Sequence, residues 1–224
     1  MLPINPNDKE YPSKCEEYMN YISNHKERVK TAYCKFFKDK LPEIFDDQNQ
    51  DYDFLQNMDK VIENNIEKHD ESKYTDAEFY GYRAHFYPTA TEKEQMLEDE
   101  EYAELVQEEY AEAWIHHQQN NPHHPQYYLW YNEDGTLVNE RSNLPLYNMN
   151  MPNIIEMLCD WAAMSKGEND YNYLSWICSP SSIDEREILP DVVKKSVQLI
   201  SSKIYSNYDE YKERLEEALF GKEE

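Results

Sequence analysis

Four of the seven histidines fall within nine residues, in the run His116-His117-Gln118-Gln119-Asn120-Asn121-Pro122-His123-His124. Imidazole is the commonest protein ligand for transition-metal ions, and Pro122 cannot continue a helix. The chain must turn there, which folds the second histidine pair back beside the first and lets the two pairs surround an ion. The plainer reading is a histidine-rich exposed loop. Upstream stands a second candidate, His69-Asp70, with Lys73 three residues on. Neighbouring side chains on a helix point about 100° apart, so adjacent His and Asp make a poor packing pair and a good one if both bend toward a cation. A bare His-Asp also occurs by chance in many chains, and its surroundings decide its meaning.

Two further polar residues sit in apolar patterns. His25 lies in the stripe Tyr18, Ile22, His25, Val29, Ala32, Phe36, where a hydrogen-bonded core histidine is the ordinary reading. Asp160 stands between Cys159 and Trp161 on a mostly apolar helix, with Glu156 four residues before it on the same face. An unpaired buried carboxylate is costly, so Asp160 has to be paired or ligated.

These residues need helices to hold them, and the spacing predicts helices almost throughout. After an irregular lead-in, a helix is predicted from about Pro12 to Lys40, ended by Pro42 and the acidic stretch 46–51. The next runs from about Asp53 to Lys68, with Phe54, Met58, Val61, Ile62 and Ile66 inward, and delivers His69-Asp70 at its end. Thr75-Asp76-Ala77-Glu78 has the form of a capping box opening a helix that carries Phe79, Tyr82, Phe86 and a structural or exposed His85. Pro88 stops it. A second capping box, Thr91-Glu92-Lys93-Glu94, opens a long helix to about Gln119, whose acidic middle is a solvated face. Tyr127 to Tyr131, an Asn-Glu-Asp-Gly turn and Thr136 to Val138 predict a β-hairpin inserted at about 126–140. Helices follow from about Met151 to Lys166 with Pro152 in the first turn, from Tyr171 to Cys178, from Pro190 to Tyr205, and from Tyr208 to Phe220, the last capped by Asn207 and closed by Gly221. The fold class is all-α. The expected organisation is one helical domain over 12–205 and a C-terminal helix within 206–224, packed on it or extending from it.

Composition narrows the partners. With 22 Lys+Arg against 46 Asp+Glu, a formal charge of -24 repels phosphate backbones and excludes a long nucleic acid as ligand. A small anionic substrate remains possible where metal ions or local Lys and Arg reverse the sign. Acidic disordered chains are poor in aromatics, whereas this one has 20 Tyr and 4 Trp, so it folds. Cys15, Cys34, Cys159 and Cys178 form no Cys-x-x-Cys pair, and no signal peptide or membrane-spanning run is evident. Free thiols in the cytoplasm are expected, with no membrane partner; a homodimer is compatible with the sequence.

Taken in order, His25, His69-Asp70, His117, His123 or His124 and Asp160 resemble the H…HD…D series of the HD-domain superfamily, over roughly residues 18–166. More narrowly, Ala113-Trp114, His117-x-x-x-Asn121-x-His123-His124 and Glu156-Met157-x-x-Asp160-Trp161 look like a bacterial and phage branch of that superfamily without an assigned function. Glu71-Ser72 departs from the apolar-glycine pair common before the lysine. The resemblance implies an HD-like helical bundle in which His25, His69, Asp70 and Asp160 hold one metal ion. His117 and His123 or His124 then hold a second ion or meet phosphate, with His116 the competitor of His117. Lys73 and Arg83 face substrate charge, and Glu156 or Glu71 serves as base or outer support.

The implied cofactors are one or two divalent ions of Mn, Fe, Co, Ni or Zn. The implied reaction is hydrolysis of a small phosphoester, a nucleotide among the candidates. Two other readings stand beside it. One is an HD-fold di-iron oxygenase with the same ligand series, and the other is a non-enzymatic acidic binding protein of phage origin.

Overall fold

The computed structural model describes residues 8–46, 52–129, 149–165 and 171–221, and every regular element among them is helical. The chain divides into two compact units: Met1–Lys26 with His69–Asn121, and Glu27–Lys68 with Pro122–Glu224. None of the described helices is long and apolar enough to cross a membrane.

The first unit takes the N-terminal part of α1 (Tyr11–Ala32), a 3-10 turn at Glu71–Tyr74, α4 (Asp76–Phe86), α5 (Ala90–Glu98) and α6 (Glu100–Asn120). Helices α4 and α6 approach closely because Gly81 has no side chain. A methyl group there would strike the backbone carbonyl of Glu109 and stand 3.0 Å from Ala113 Cβ. Tyr18, Ile22, Tyr82 and Ala113 form one apolar cluster; Ala84, Tyr102 and Val106 form another. Arg83 is buried in a two-pronged pair with Glu92, at 2.5 and 2.8 Å, and its guanidinium lies over the Tyr11 ring. The charge of Arg83, expected to meet a substrate, is thus committed to Glu92 in this structure, and burying a guanidinium requires just such a fixed carboxylate partner.

The second unit is built around α7 (Met151–Ala163), whose Pro152 stands in the first turn and whose Asn150 caps it through the Asn153 amide. Ile155, Leu158, Cys159, Trp161 and Ala162 of α7 are almost wholly buried. Around them pack Ile62 and Ile66 of α3 (Tyr52–Glu67), Tyr173, Leu174 and Ile177 of α8 (Tyr173–Ile177), and Val193, Val197 and Ile200 of α10 (Asp191–Ile204). Leu215 and Leu219 of α11 (Tyr208–Phe220) join the same cluster, and a short α2 (Leu41–Ile44) and α9 (Ile183–Glu187) complete the unit. Burying each such aliphatic side chain contributes about 1.5–3 kcal/mol. Gly221 ends α11 at φ +81°, the left-handed region where glycine lacks a steric penalty.

Several boundaries differ from the sequence expectation. The first helix does not run unbroken to Lys40: it passes into a π turn at Tyr33–Phe37 and a 3-10 turn at Lys38–Lys40. Thr75 does not form a capping box, since its hydroxyl donates to Ser72 O at 2.6 Å and Glu78 is used elsewhere. The real box is Thr89 with Glu92, two residues before the expected Thr91, because Thr89 is the residue with extended backbone. The long acidic helix is broken at Asp99, which caps α6 through the Tyr102 amide. Asn207 makes no side-chain cap. Val61 is exposed rather than inward. Of the expected hairpin, 130–140 lies outside the described residues, and its first part is a 3-10 turn at Pro125–Tyr128, where Pro125 fixes a turn-forming backbone.

Candidate metal centre

In the first unit, His25 reaches the site from the buried face of α1, and its neighbours Ile22 and Val29 explain why the ring stays inside. His69 and Asp70 follow α3 directly. Asp70 leaves the helix with φ 57° and ψ 21°, the only non-glycine residue in the left-handed region among those described. That turn solves the problem of two adjacent side chains on one helix: Asp70 no longer follows helical phase, and both groups face the same point. Asp and Asn are the residues that tolerate this backbone best after glycine. The conformation costs about 1–3 kcal/mol, which the surrounding contacts must offset.

Three ligand atoms then form a nearly equilateral triangle. His25 Nε2 to His69 Nε2 is 3.3 Å, His69 Nε2 to Asp70 Oδ2 is 3.5 Å, and His25 Nε2 to Asp70 Oδ2 is 3.6 Å. The point equidistant from these atoms lies about 2.0 Å from each, the bond length of a first-row divalent ion to imidazole nitrogen or carboxylate oxygen. All three side chains are buried. His117 approaches from α6, with Nε2 3.4 Å from Asp70 Oδ1. Lys73 Nζ donates to Asp70 Oδ2 at 2.6 Å and stands 5.8 Å from the centre of the Tyr82 ring.

The tautomer of His117 follows from its other nitrogen. Its Nδ1 is 2.9 Å from Glu78 Oε2. Burial holds this imidazole below its ordinary value, so it is neutral and carries one proton. An ionised carboxylate only accepts, so that proton is on Nδ1. Nε2 therefore presents a lone pair toward an Asp70 oxygen, an arrangement in which the two atoms could share a cation. Glu78 itself is ionised: burial raises its pKa, but the hydrogen bonds from His117, His116 and Ser72 outweigh it, and the net shift is downward.

In the second unit, His123 Nδ1 lies 3.1 Å from Glu156 Oε1, both buried, and the His123 and His124 rings are 4.3 Å apart. Asp160 is partly buried one turn after Glu156 on α7. A polar string runs from Asn65 Nδ2 to Asn153 Oδ1, from Asn153 Nδ2 to Tyr128, and from the Tyr128 hydroxyl to Pro122 O.

Of the expected residues, His25, His69, Asp70, His117 and Lys73 thus converge in the first unit, and His123, His124 and Glu156 are neighbours in the second. Glu71 is exposed, its carboxylate 4.0 Å from Lys26 Nζ. His116 is half-exposed and bonds Glu78 Oε1 at 2.7 Å. Among the described residues, buried His and Asp groups come within the distance needed to share a metal ion. Glu78 is the participant that sequence reasoning missed. Its spacing from Thr75 imitates a capping box, and only its place on α4 opposite a His-His pair on α6 could have exposed it.

No curated protein and no solved structure matches this sequence. One family model does, over residues 14–203, and by that match the chain belongs to a family of unknown function, DUF5662.

Proposed function

We propose that the protein is a cytoplasmic, HD-type phosphohydrolase that depends on a divalent transition metal and acts on a small phosphoester, with nucleotides among the candidates. The observation that carries this reading is the triangle of His25, His69 and Asp70, whose size suits such an ion. When bound, the ion would polarise a phosphoryl oxygen and lower the pKa of a coordinated water. His25 and His69 would supply neutral nitrogen donors, and Asp70 the negative charge that favours a divalent ion. Lys73, fixed against Asp70, adds the positive charge that an anionic substrate needs in a chain of charge -24. Asp160 as the last ligand, His123 and His124 as ligands of a second ion, and Glu156 or Glu71 as base enter this proposal from the sequence series alone.

Metal analysis of the wild type beside His69→Ala and Asp160→Ala, with phosphate release from p-nitrophenyl phosphate and nucleoside monophosphates, tests it. One or two ions per wild-type chain are expected. His69→Ala should lower phosphate release by more than about 100-fold, beyond the usual effect of outer partners. A wild type without bound transition metal, or metal retained by both variants, overturns the site. Aerobic iron-loaded protein that is coloured, gives an electron-spin signal and releases no phosphate favours the oxygenase.

A further inference from the structure

Glu78 is fully buried on α4, and neither of its oxygens serves the helix it could have capped. Oε2 meets His117 Nδ1 at 2.9 Å and Oε1 meets His116 Nδ1 at 2.7 Å, so one carboxylate spans two successive residues of α6. A carboxylate in such a place needs strong donors, because desolvation alone would expel its charge. Two other polar groups near His117 Nδ1 are engaged elsewhere or stand farther off. Asn121 Nδ2 stands 3.0 Å from it, but its two hydrogens go to His117 O at 2.8 Å and Ser72 Oγ at 2.7 Å. Ser72 Oγ is farther from Nδ1, at 3.4 Å. The ionised Glu78 Oε2, 2.9 Å away, is the acceptor that the Nδ1 proton meets.

We infer that Glu78 is a positioning residue for metal binding: it holds the Nδ1 proton of His117, fixes the ring plane, and so directs the Nε2 lone pair toward the ion that Asp70 shares. The inference rests on the metal reading above and adds a residue to it. A hydrogen-bonded carboxylate behind a ligating imidazole makes that nitrogen a better donor, and its loss weakens metal affinity by about 10–100-fold. His116 occupies the second oxygen and keeps it from turning toward solvent.

The test uses the full chain and Co²⁺, whose absorption reports both affinity and ligand geometry. Glu78→Ala should raise the Co²⁺ dissociation constant by about 10–100-fold and alter the absorption envelope. Glu78→Gln should fall between wild type and Glu78→Ala, because its amide oxygen still accepts the Nδ1 proton without the charge. Nitrogen-15 spectra of metal-free wild type should show His117 protonated on Nδ1 and bare on Nε2, a readout that needs no variant to fold. Wild type that binds Co²⁺ with Glu78→Ala binding equally well overturns this inference alone, as does His117 protonated on Nε2. A merely structural Glu78 would lower the melting temperature and leave the Co²⁺ constant in place. No Co²⁺ uptake by wild type overturns the metal reading and this inference with it.

Discussion

The second unit buries one continuous apolar cluster that runs in sequence from Val29 to Leu219, with α7 at its centre. The first unit divides its apolar residues into two small clusters and buries beside them His25, His69, Asp70, Glu78, Arg83 and His117. The two interiors answer to different rules. In the second, the apolar cluster outweighs the few buried polar groups, His123, His124 and Glu156 among them, and each apolar side chain stabilises on its own account. In the first, each buried polar group is worth having only while its partner is in place, since a group left alone costs about 1–3 kcal/mol, more when charged. The larger apolar interior thus lies in the second unit, and the triangle of His25, His69 and Asp70 depends on the conditional interior of the first.

The sharpest way to break this comparison is to remove a side chain from the apolar interior. Leu158→Ala should lower unfolding free energy by about 2–5 kcal/mol, read by urea denaturation. A loss under about 1 kcal/mol would mean that α7 is not the structural centre. Gly81→Ala asks the same of the first unit. The added methyl meets the Glu109 backbone and Ala113 Cβ, neither of which can swing aside, so α4 and α6 must part, at a cost of about 1–3 kcal/mol. If Gly81→Ala proves neutral, that close approach is not required.

Acid should separate the units with the smallest effect. Burial holds His117 below its ordinary value near 6.5, so below that pH the unfolded chain takes up a proton that the folded chain refuses, and stability falls as pH drops through 6.5. His85, also lowered by burial, acts with the same sign. The depressed Glu78 carboxyl adds to it further down: its contribution is present above about 4.5 and is lost as pH falls below. Hydrogen exchange of metal-free protein should therefore show amides of α4 and α6 losing protection before those of α7 as pH is lowered from 7. Loss in α7 first, or in both together, contradicts the contrast.

What was legible in the sequence follows the same division. Helices whose burial is apolar were readable from periodicity: α3, α7, α10 and α11 begin and end within about three residues of expectation. His25 was legible as inward for the same reason, though its stripe alone said only that it was buried. Misreadings cluster where a polar side chain had two possible partners. Glu78 could cap Thr75 or bond two histidines, and spacing along a chain does not distinguish these, because the histidines lie on another helix. Thr91 with Glu94 and Thr89 with Glu92 have the same spacing, and only the extended backbone of Thr89 decides between them. Arg83 looked available for substrate since its partner, Glu92, is nine residues away and belongs to the next helix. The HD-like arrangement remains an expectation carried by residue order.

The left-handed backbone at Asp70 bears on how this site could be lost over time. Asparagine and glycine accept φ 57° at least as readily as aspartate does. A drift to either would therefore meet no resistance from the backbone, while erasing the negative charge at the apex of the triangle. Glutamate, which preserves the charge, would be the harder change for the chain to fold around. The backbone does not defend the carboxylate at position 70, so the bond from Lys73 and selection for what that oxygen binds would have to.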